Sequence, residues 1–305
     1  MANLSTAIGT YGHTKAIKSG EIAPSGNTLE QVEVTPIINA FRRMCRQQEF
    51  DVCEMAITTY LCAKANQLPF TAMPVFLVRA FHNGAVQINP EAGVSSPKDL
   101  EGKKVGVRAW TVTTGVWAKD ILQNEFGVDL EKVDWVIVDE EHVQQYQPPP
   151  NVTAQAGANL GEMLAAGDLA AAIGIPRVDS PNVKPLVENA GAASSEWYKK
   201  TGVYPINHTL VVKDELLEAN PSLAKDIYDV FKAARDQYVA SLADSTAEED
   251  AAMKRTAAMV GDPLPYGIEP NRKAMEAIIA AASSQHILTN PTNVEDVFVR
   301  GSANW

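Results

Sequence analysis

The stretch KKVGVRAWTVTTGVWAKDIL, Lys103 to Leu122, constrains the chain more than any other. Val105 and Val107 read as a buried parallel strand, a segment carrying Arg108, Trp110, Thr111, Thr113 and Thr114 interrupts it, and a helix resumes near Gly115. Strand, polar turn and helix in that order describe the carboxyl end of a strand in an open α/β sheet. There the first helical N–H groups are unpaired and the dipole is positive, so the turn favours an anion. Arg108 adds a planar fork suited to a carboxylate. An N-capped helix with Trp110 and Trp117 as core aromatics satisfies the same residues.

With 305 residues the chain is long for one core and suits two lobes. A net charge of −11 disfavours nucleic acid and anionic membrane surfaces, which need an extended basic face. Any anionic ligand must therefore meet a pocket that is basic locally. Cys45, Cys53 and Cys62 are odd in number and fit no metal-ligand spacing, which points to buried thiols in a reducing compartment. Met1 to Lys15 lacks a basic segment followed by an uninterrupted apolar run, and no run is long enough to span a bilayer. A cytoplasmic protein is expected, and a homo-oligomer is left open.

Read in order, a first strand over Leu4 to Ile8 ends in GTYGHTKAIKSG, whose Gly9 and Gly12 permit a tight turn carrying His13 and Lys15. A strand at Val32 to Pro36 and a helix at Ile37 to Gln47 follow, the helix bearing Arg42, Arg43 and Arg46 on its outer face. EFDVCEMAITTYLCAKA passes from strand to helix through Glu54, which either contacts a substrate hydroxyl or acts as a helix N-terminal acid. The apolar run Pro69 to Gly84 reads as a strand buried on both faces, ending in Arg79 and His82. Arg79 there requires an internal carboxylate or a ligand, whereas His82 suits a structural role as well as a site.

A composition shift after Pro90 opens a second lobe. It runs through a strand at Val133 to Val138, a proline-rich loop at Glu140 to Val152, a helix near Asn159 to Ala166 and a strand at Ala170 to Ile173. YPINHTLVV, with His208, returns the chain to the first lobe. Apolar positions from Leu223 to Tyr238 and from Met275 to Ala282 recur at helical spacing, and Ser245 with Glu248 reads as a capping box. The fold class is α/β: lobe I over 1–85 and 205–305, lobe II over 86–204, with interlobe crossings near Val86 and Tyr204 and a ligand expected between the lobes.

SPKDLEGKKVGVR resembles the lobe-opening motif of the type II periplasmic solute-binding proteins. EFDVCEMAITTYL, MPVFLVRAFHNG, GVRAWTVTTGVWAKDIL, YPINHTLVV and PYGIEPNRKAMEAII together resemble the 4,5-dihydroxyphthalate decarboxylase family, and these segments span nearly the whole chain. The resemblance implies a lyase of aromatic compound catabolism and phthalate degradation: a periplasmic-binding-protein-like enzyme that converts 4,5-dihydroxyphthalate to protocatechuate and CO2. A non-catalytic solute-binding protein for an aromatic carboxylate is the alternative, with the same fold and anchors but no need of a proton donor.

Such a decarboxylation needs cationic anchors, a proton donor titrating near neutrality and groups that grip the phenols. Arg79, Arg108 and Lys15 are the candidate anchors; His208, His82 and His13 the candidate donors; and Glu54, Trp110, Thr113 and Thr114 the remaining substrate contacts. No electron-sink cofactor is required. The histidines with Glu54 offer a divalent metal as the competing mechanism, but no HxH or HExxH spacing supports it.

Overall fold

The computed structural model describes residues 2–305, so that Met1, the expected start of lobe I, lies outside the described residues. The chain divides into two compact units. The first contains the chain up to Arg79, Ile206–Glu276 and Thr292–Trp305; the second contains Ala80–Pro205 and Ala277–Pro291.

The first unit opens with β1 (Ala2–Ala7), α1 (Lys15–Lys18), β2 (Asn27–Gln31), α2 (Ile38–Gln47), β3 (Val52–Ala56), α3 (Ile57–Ala65) and β4 (Phe70–Arg79). The second holds β5 (Val86–Ile88), β6 (Lys104–Val107), α4 (Thr113–Phe126), β7 (Asp134–Ile137), β8 (Val152–Ala154), α5 (Leu160–Ala166), β9 (Ala171–Ile173), β10 (Lys184–Pro185) and α6 (Ala190–Thr201). Then come β11 (Ile206–Lys213), α7 (Asp214–Ala219), α8 (Leu223–Ser241), α9 (Ala251–Val260), α10 (Arg272–Ser284) and α11 (Val294–Val297).

In the first unit the strand order is β2-β1-β3-β11-β4. β1 pairs in parallel with both β2 and β3, while β11 runs antiparallel between β3 and β4. The chain thus departs from β1 towards one neighbour and returns on its other side, which makes the carboxyl ends of β1 and β3 a topological switch point, the usual place for a ligand in an open sheet. One core layer joins Leu4, Val52, Val75 and Leu210 of the sheet to Ile227, Val230 and Phe231 of α8, the helix that the apolar spacing predicts. α2 buries Ala40, Phe41, Met44 and Cys45, leaving Arg43 to pair with Glu49 and lie over Phe50.

The second unit's sheet has the order β10-β5-β9-β6-β7-β8. β6, β7, β8 and β9 are mutually parallel where they meet, and β5 is antiparallel to β9. β6 lies between β7 and β9, so its carboxyl end is the switch point of this sheet, and that end is the Arg108 turn. α5 starts where the Asn159 side chain accepts from the Gly161 and Glu162 N–H groups and stops at Gly167 in the left-handed region.

Four details differ from the sequence reading. The second strand is Asn27–Gln31 and not Val32 to Pro36, because its ladder with β1 runs from Ala2↔Asn27 to Thr6↔Gln31. The proline-rich loop ends in a strand, β8, paired with β7 from Trp135↔Val152 to Ile137↔Ala154. Ser245 does not cap a helix at Glu248; its hydroxyl donates to Asp250 at 2.5 Å. Ala277–Pro291 belongs to the second unit rather than the first, as Gln285 ties it there through bonds to Val116 and Trp110. Among the described residues no helix is long and apolar enough to cross a membrane.

Candidate active site

The switch point of the first sheet carries a cluster centred on Glu54, a fully buried carboxylate in β3. A charge there must be hydrogen-bonded to persist. His208 Nδ1 lies 2.6 Å from its Oε1, the Tyr11 hydroxyl donates to the same oxygen at 2.7 Å, and the Gly9 N–H donates to Oε2 at 2.8 Å. Burial alone raises the Glu54 pKa, but the bonds from His208, Gly9 and Tyr11 outweigh it and hold the pKa below the ordinary carboxylate value. Glu54 is therefore anionic, and three of its acceptor positions are taken by the protein.

The ladder brings His208 here: it faces Ala56 of β3 on one side and Val78 of β4 on the other. Its ring packs edge-on against Phe41 at 5.0 Å and is 21% exposed, whereas Glu54 is 0% exposed. With Nδ1 held by the carboxylate, Nε2 is the nitrogen that remains to exchange a proton with a bound molecule. A buried carboxylate holding an imidazole by its inner nitrogen is the arrangement of a general acid or base with its orienter.

His13 is 3% exposed, stacked on Tyr11 with ring centroids 5.4 Å apart and tilted against Tyr238. Among the described residues neither ring nitrogen has a hydrogen-bond partner of good geometry. Burial pushes its pKa down to about 4, against the opposing pull of Glu54 and the Leu77 carbonyl. At neutral pH His13 is an uncharged imidazole. Tyr266, which sequence reasoning passed over, is a second buried group whose hydroxyl has no hydrogen-bond partner among the described residues. The unpaired groups in PYGIEPNR and GTYGHT leave no trace in composition or periodicity.

Arg79 ends β4 one residue beyond Val78, the ladder partner of His208. Its guanidinium bonds to Asn271 Oδ1 and, at 3.4 Å, to the Pro265 carbonyl, and it lies 5.3 Å from the Phe76 ring. Lys15 is paired with Glu249 at 2.7 Å on an exposed surface, and the structure does not bring it to Glu54. Gly9 and Gly12 are both packing requirements here. A Cβ on Gly9 would lie 2.4 Å from the Tyr11 ring and one on Gly12 2.1 Å from that of Tyr238.

In the second unit the expected anion at the turn after β6 is part of the protein. Glu141, 8% exposed, accepts from the Trp110 N–H at 2.5 Å, the Thr111 N–H at 3.2 Å and the Thr111 hydroxyl at 2.6 Å. Lys119, fully buried in α4, donates to the Trp110 carbonyl at 3.2 Å and sits 3.0 Å from the centre of its ring. Burial drives the Lys119 pKa well below its ordinary value, with Glu141 opposing. Trp110 is 2% exposed, and its indole donates to the Gln285 carbonyl at 2.9 Å. Arg108 pairs with Asp139 at 2.9 Å, both half-exposed. Thr113 is buried in the first turn of α4, Thr114 packs its methyl towards Gly174, and His82 is buried in the loop after β4. Neither Glu141 nor Lys119 was legible in the sequence, because Glu141 lies in an acidic run and Lys119 in a helix where a lysine ordinarily faces water.

A cavity of about 390 Å³ in this unit is lined by Trp110, Pro149, Pro150, Asn151, Gln285 and His286 among others. No lysine or arginine lines it, so it does not suit a dianion. Among the described residues no group of three or more His, Cys, Asp and Glu side chains could hold a metal ion.

No protein-family model matches the chain. Among curated proteins, 4,5-dihydroxyphthalate decarboxylase from Comamonas testosteroni is 27% identical over 97% of this chain and 96% of its own length. The enzyme of that name from Pseudomonas putida is 31% identical over 65% of this chain and 81% of its own length. The chain belongs to the 4,5-dihydroxyphthalate decarboxylase family. Its fold is periplasmic-binding-protein-like. The alkanesulfonate-binding protein SsuA from Xanthomonas axonopodis pv. citri superposes with a TM-score of 0.56 at 12% identity, covering 98% of each chain. The desulfurization enzyme DSZB superposes with a TM-score of 0.51 at 13% identity, covering 100% of this chain and 97% of its own. The fold thus hosts binding proteins and an enzyme alike, and the side chains must decide between them for this family member.

Proposed function

We propose that this protein is a carboxy-lyase that converts 4,5-dihydroxyphthalate to protocatechuate and CO2 without oxidation, with His208 as general acid. The observation that carries the proposal is the buried Glu54 carboxylate holding His208 by Nδ1 at 2.6 Å, a device that a passive binding protein does not need. Membership of the decarboxylase family supplies the reaction class.

The chemistry follows from the substrate. A ring hydroxyl para to the departing carboxylate pushes electron density to the carbon that bears it. The His208 imidazolium gives its Nε2 proton to that carbon, the bond to the carboxyl carbon breaks, its electron pair returns to the ring, and CO2 leaves as aromaticity is restored. His208 then regains a proton from solvent, so no net oxidation or reduction occurs. Glu54 stabilises the imidazolium and fixes the tautomer that it reverts to. Arg79, one residue beyond the ladder partner of His208, is assigned to a substrate carboxylate. We place the enzyme in the cytoplasm, a location supported by Cys45, Cys53 and Cys62, all buried as free thiols. Purified protein incubated with 4,5-dihydroxyphthalate should release CO2 and protocatechuate in equal amounts. Tight binding of the substrate with no CO2 release would instead make the chain a binding protein.

A further inference from the structure

We propose that Tyr11 is a positioning residue that sets the proton affinity of His208 through Glu54. This inference rests on the decarboxylase reading of the same site and adds to it a residue that acts through Glu54.

The geometry isolates the effect. The Tyr11 hydroxyl and His208 Nδ1 meet the same carboxylate oxygen, Oε1, at 2.7 and 2.6 Å, while the Gly9 N–H holds Oε2. Two donors on one oxygen compete for the same negative charge, so what the phenol withdraws is unavailable to the imidazolium. The loop is built for this contact. Gly9 has no Cβ because one would overlap the Tyr11 ring, and the Thr14 hydroxyl accepts from the Tyr11 N–H at 2.8 Å while donating to the Gly9 carbonyl at 2.8 Å. The phenol is thus pinned from its backbone outward and aimed at a carboxylate that is 0% exposed.

The other titratable groups around the carboxylate leave this link intact. His13 on the same loop is neutral above about pH 4, and burial keeps the Cys53 thiol of β3 protonated. Tyr266 is a buried phenol with a raised pKa, and on α8 Tyr238 is bonded to Asp250 and Arg235 to Asp236 and the Leu264 carbonyl. Tyr11 is itself kept neutral, by burial first and then by Glu54, and so acts as a constant donor over the working pH range.

Removing the donor returns charge to Oε1, strengthens its hold on the imidazolium and makes His208 a weaker acid. In Tyr11→Phe the His208 imidazole, assigned by the resonance lost in His208→Gln, should titrate about half a unit to one unit higher by NMR. The alkaline limb of kcat should move upward by the same amount, while kcat on the acid side of that limb, where the imidazole is protonated in both proteins, should fall by no more than about 3-fold to 10-fold with KM little changed. Replacing Tyr11 with 3-fluorotyrosine keeps the ring and strengthens the donor, and should move the His208 titration downward. A His208 titration that stays in place in both variants overturns the proposal, whether or not Tyr11→Phe lowers stability. The titration needs no turnover, so a wild-type protein that fails to decarboxylate would overturn the preceding reading alone.

Discussion

His13 gives the most direct test of the electrostatics around the site. In the unfolded chain its imidazole protonates below its ordinary value of 6.5, whereas burial keeps the folded ring neutral down to about pH 4. Between those values the unfolded state binds a proton that the folded state refuses, so stability falls as pH falls. At pH 5 the difference is about 2 kcal/mol, approaching about 3 kcal/mol once both states are protonated. Phe at position 13 preserves the stack on Tyr11 and has no proton to bind. Because neither His13 nitrogen has a good hydrogen-bond partner, the exchange should change stability by no more than about 1 kcal/mol at pH 7.5. Urea unfolding followed by circular dichroism at pH 7.5 and pH 5.0 measures both quantities. Wild type should lose about 2 kcal/mol more than His13→Phe on acidification. The pH window also excludes Glu54, whose depressed pKa contributes stability above its unfolded value near 4.5 that is lost only as pH falls through the lower folded value. Equal losses in the two proteins would mean that His13 titrates normally in the fold, and the account of its burial would be wrong.

The remaining expectations concern the chemistry and its frame. His208→Gln should keep substrate affinity within a few-fold while single-turnover CO2 release falls about 10²-fold to 10⁴-fold; near-normal turnover would move the proton donor elsewhere. Arg79→Leu, checked for folding because it also breaks the bond to Asn271, should weaken substrate binding by about 1.5–3 kcal/mol in calorimetry, and unchanged affinity would end its anchoring role. Glu141→Gln leaves at least one donor of the Trp110–Thr111 turn facing an amide nitrogen, so urea unfolding of the second unit should show a loss of about 1–3 kcal/mol; an unchanged midpoint would show that the turn does not depend on the carboxylate.

The parts of the fold visible in the sequence were those with strong apolar periodicity. The run through Phe70–Arg79, the strand-to-helix passage at Val52–Ala65 and the stripe along Leu223–Ser241 each appear where the pattern places them. What the pattern missed was decided by partners distant in sequence. β8 emerges from a proline-rich loop because β7 offers it a parallel edge, and Ala277–Pro291 joins the second unit through Gln285, whose bonds reach back 169 and 175 residues. The candidate site divides in the same way. Glu54 and His208 were recognisable as reactive side chains at strand ends, but their pairing spans 154 residues and depends on the register of β11 against β3, which no local signal encodes.

The same limit explains why the polar turn after β6 shows its demand for an anion in the sequence but not the residue that meets it. The turn after β6 presents N–H groups that call for an anion, and the Arg108 segment has that character. A ligand at millimolar concentration competes there with an internal carboxylate whose effective concentration is set by the fold. Glu141, bonded to two N–H groups and a hydroxyl, wins that competition. In the first unit Glu54 plays the equivalent part after β1, accepting from Gly9 and Tyr11, but it also holds an imidazole whose other nitrogen stays available. Both turns satisfy the same electrostatic demand with a buried glutamate. Only the one that passes its charge on to a titratable, partly exposed side chain can turn that satisfaction into chemistry, which is why the catalytic reading rests on His208 and not on the more conspicuous Arg108 stretch.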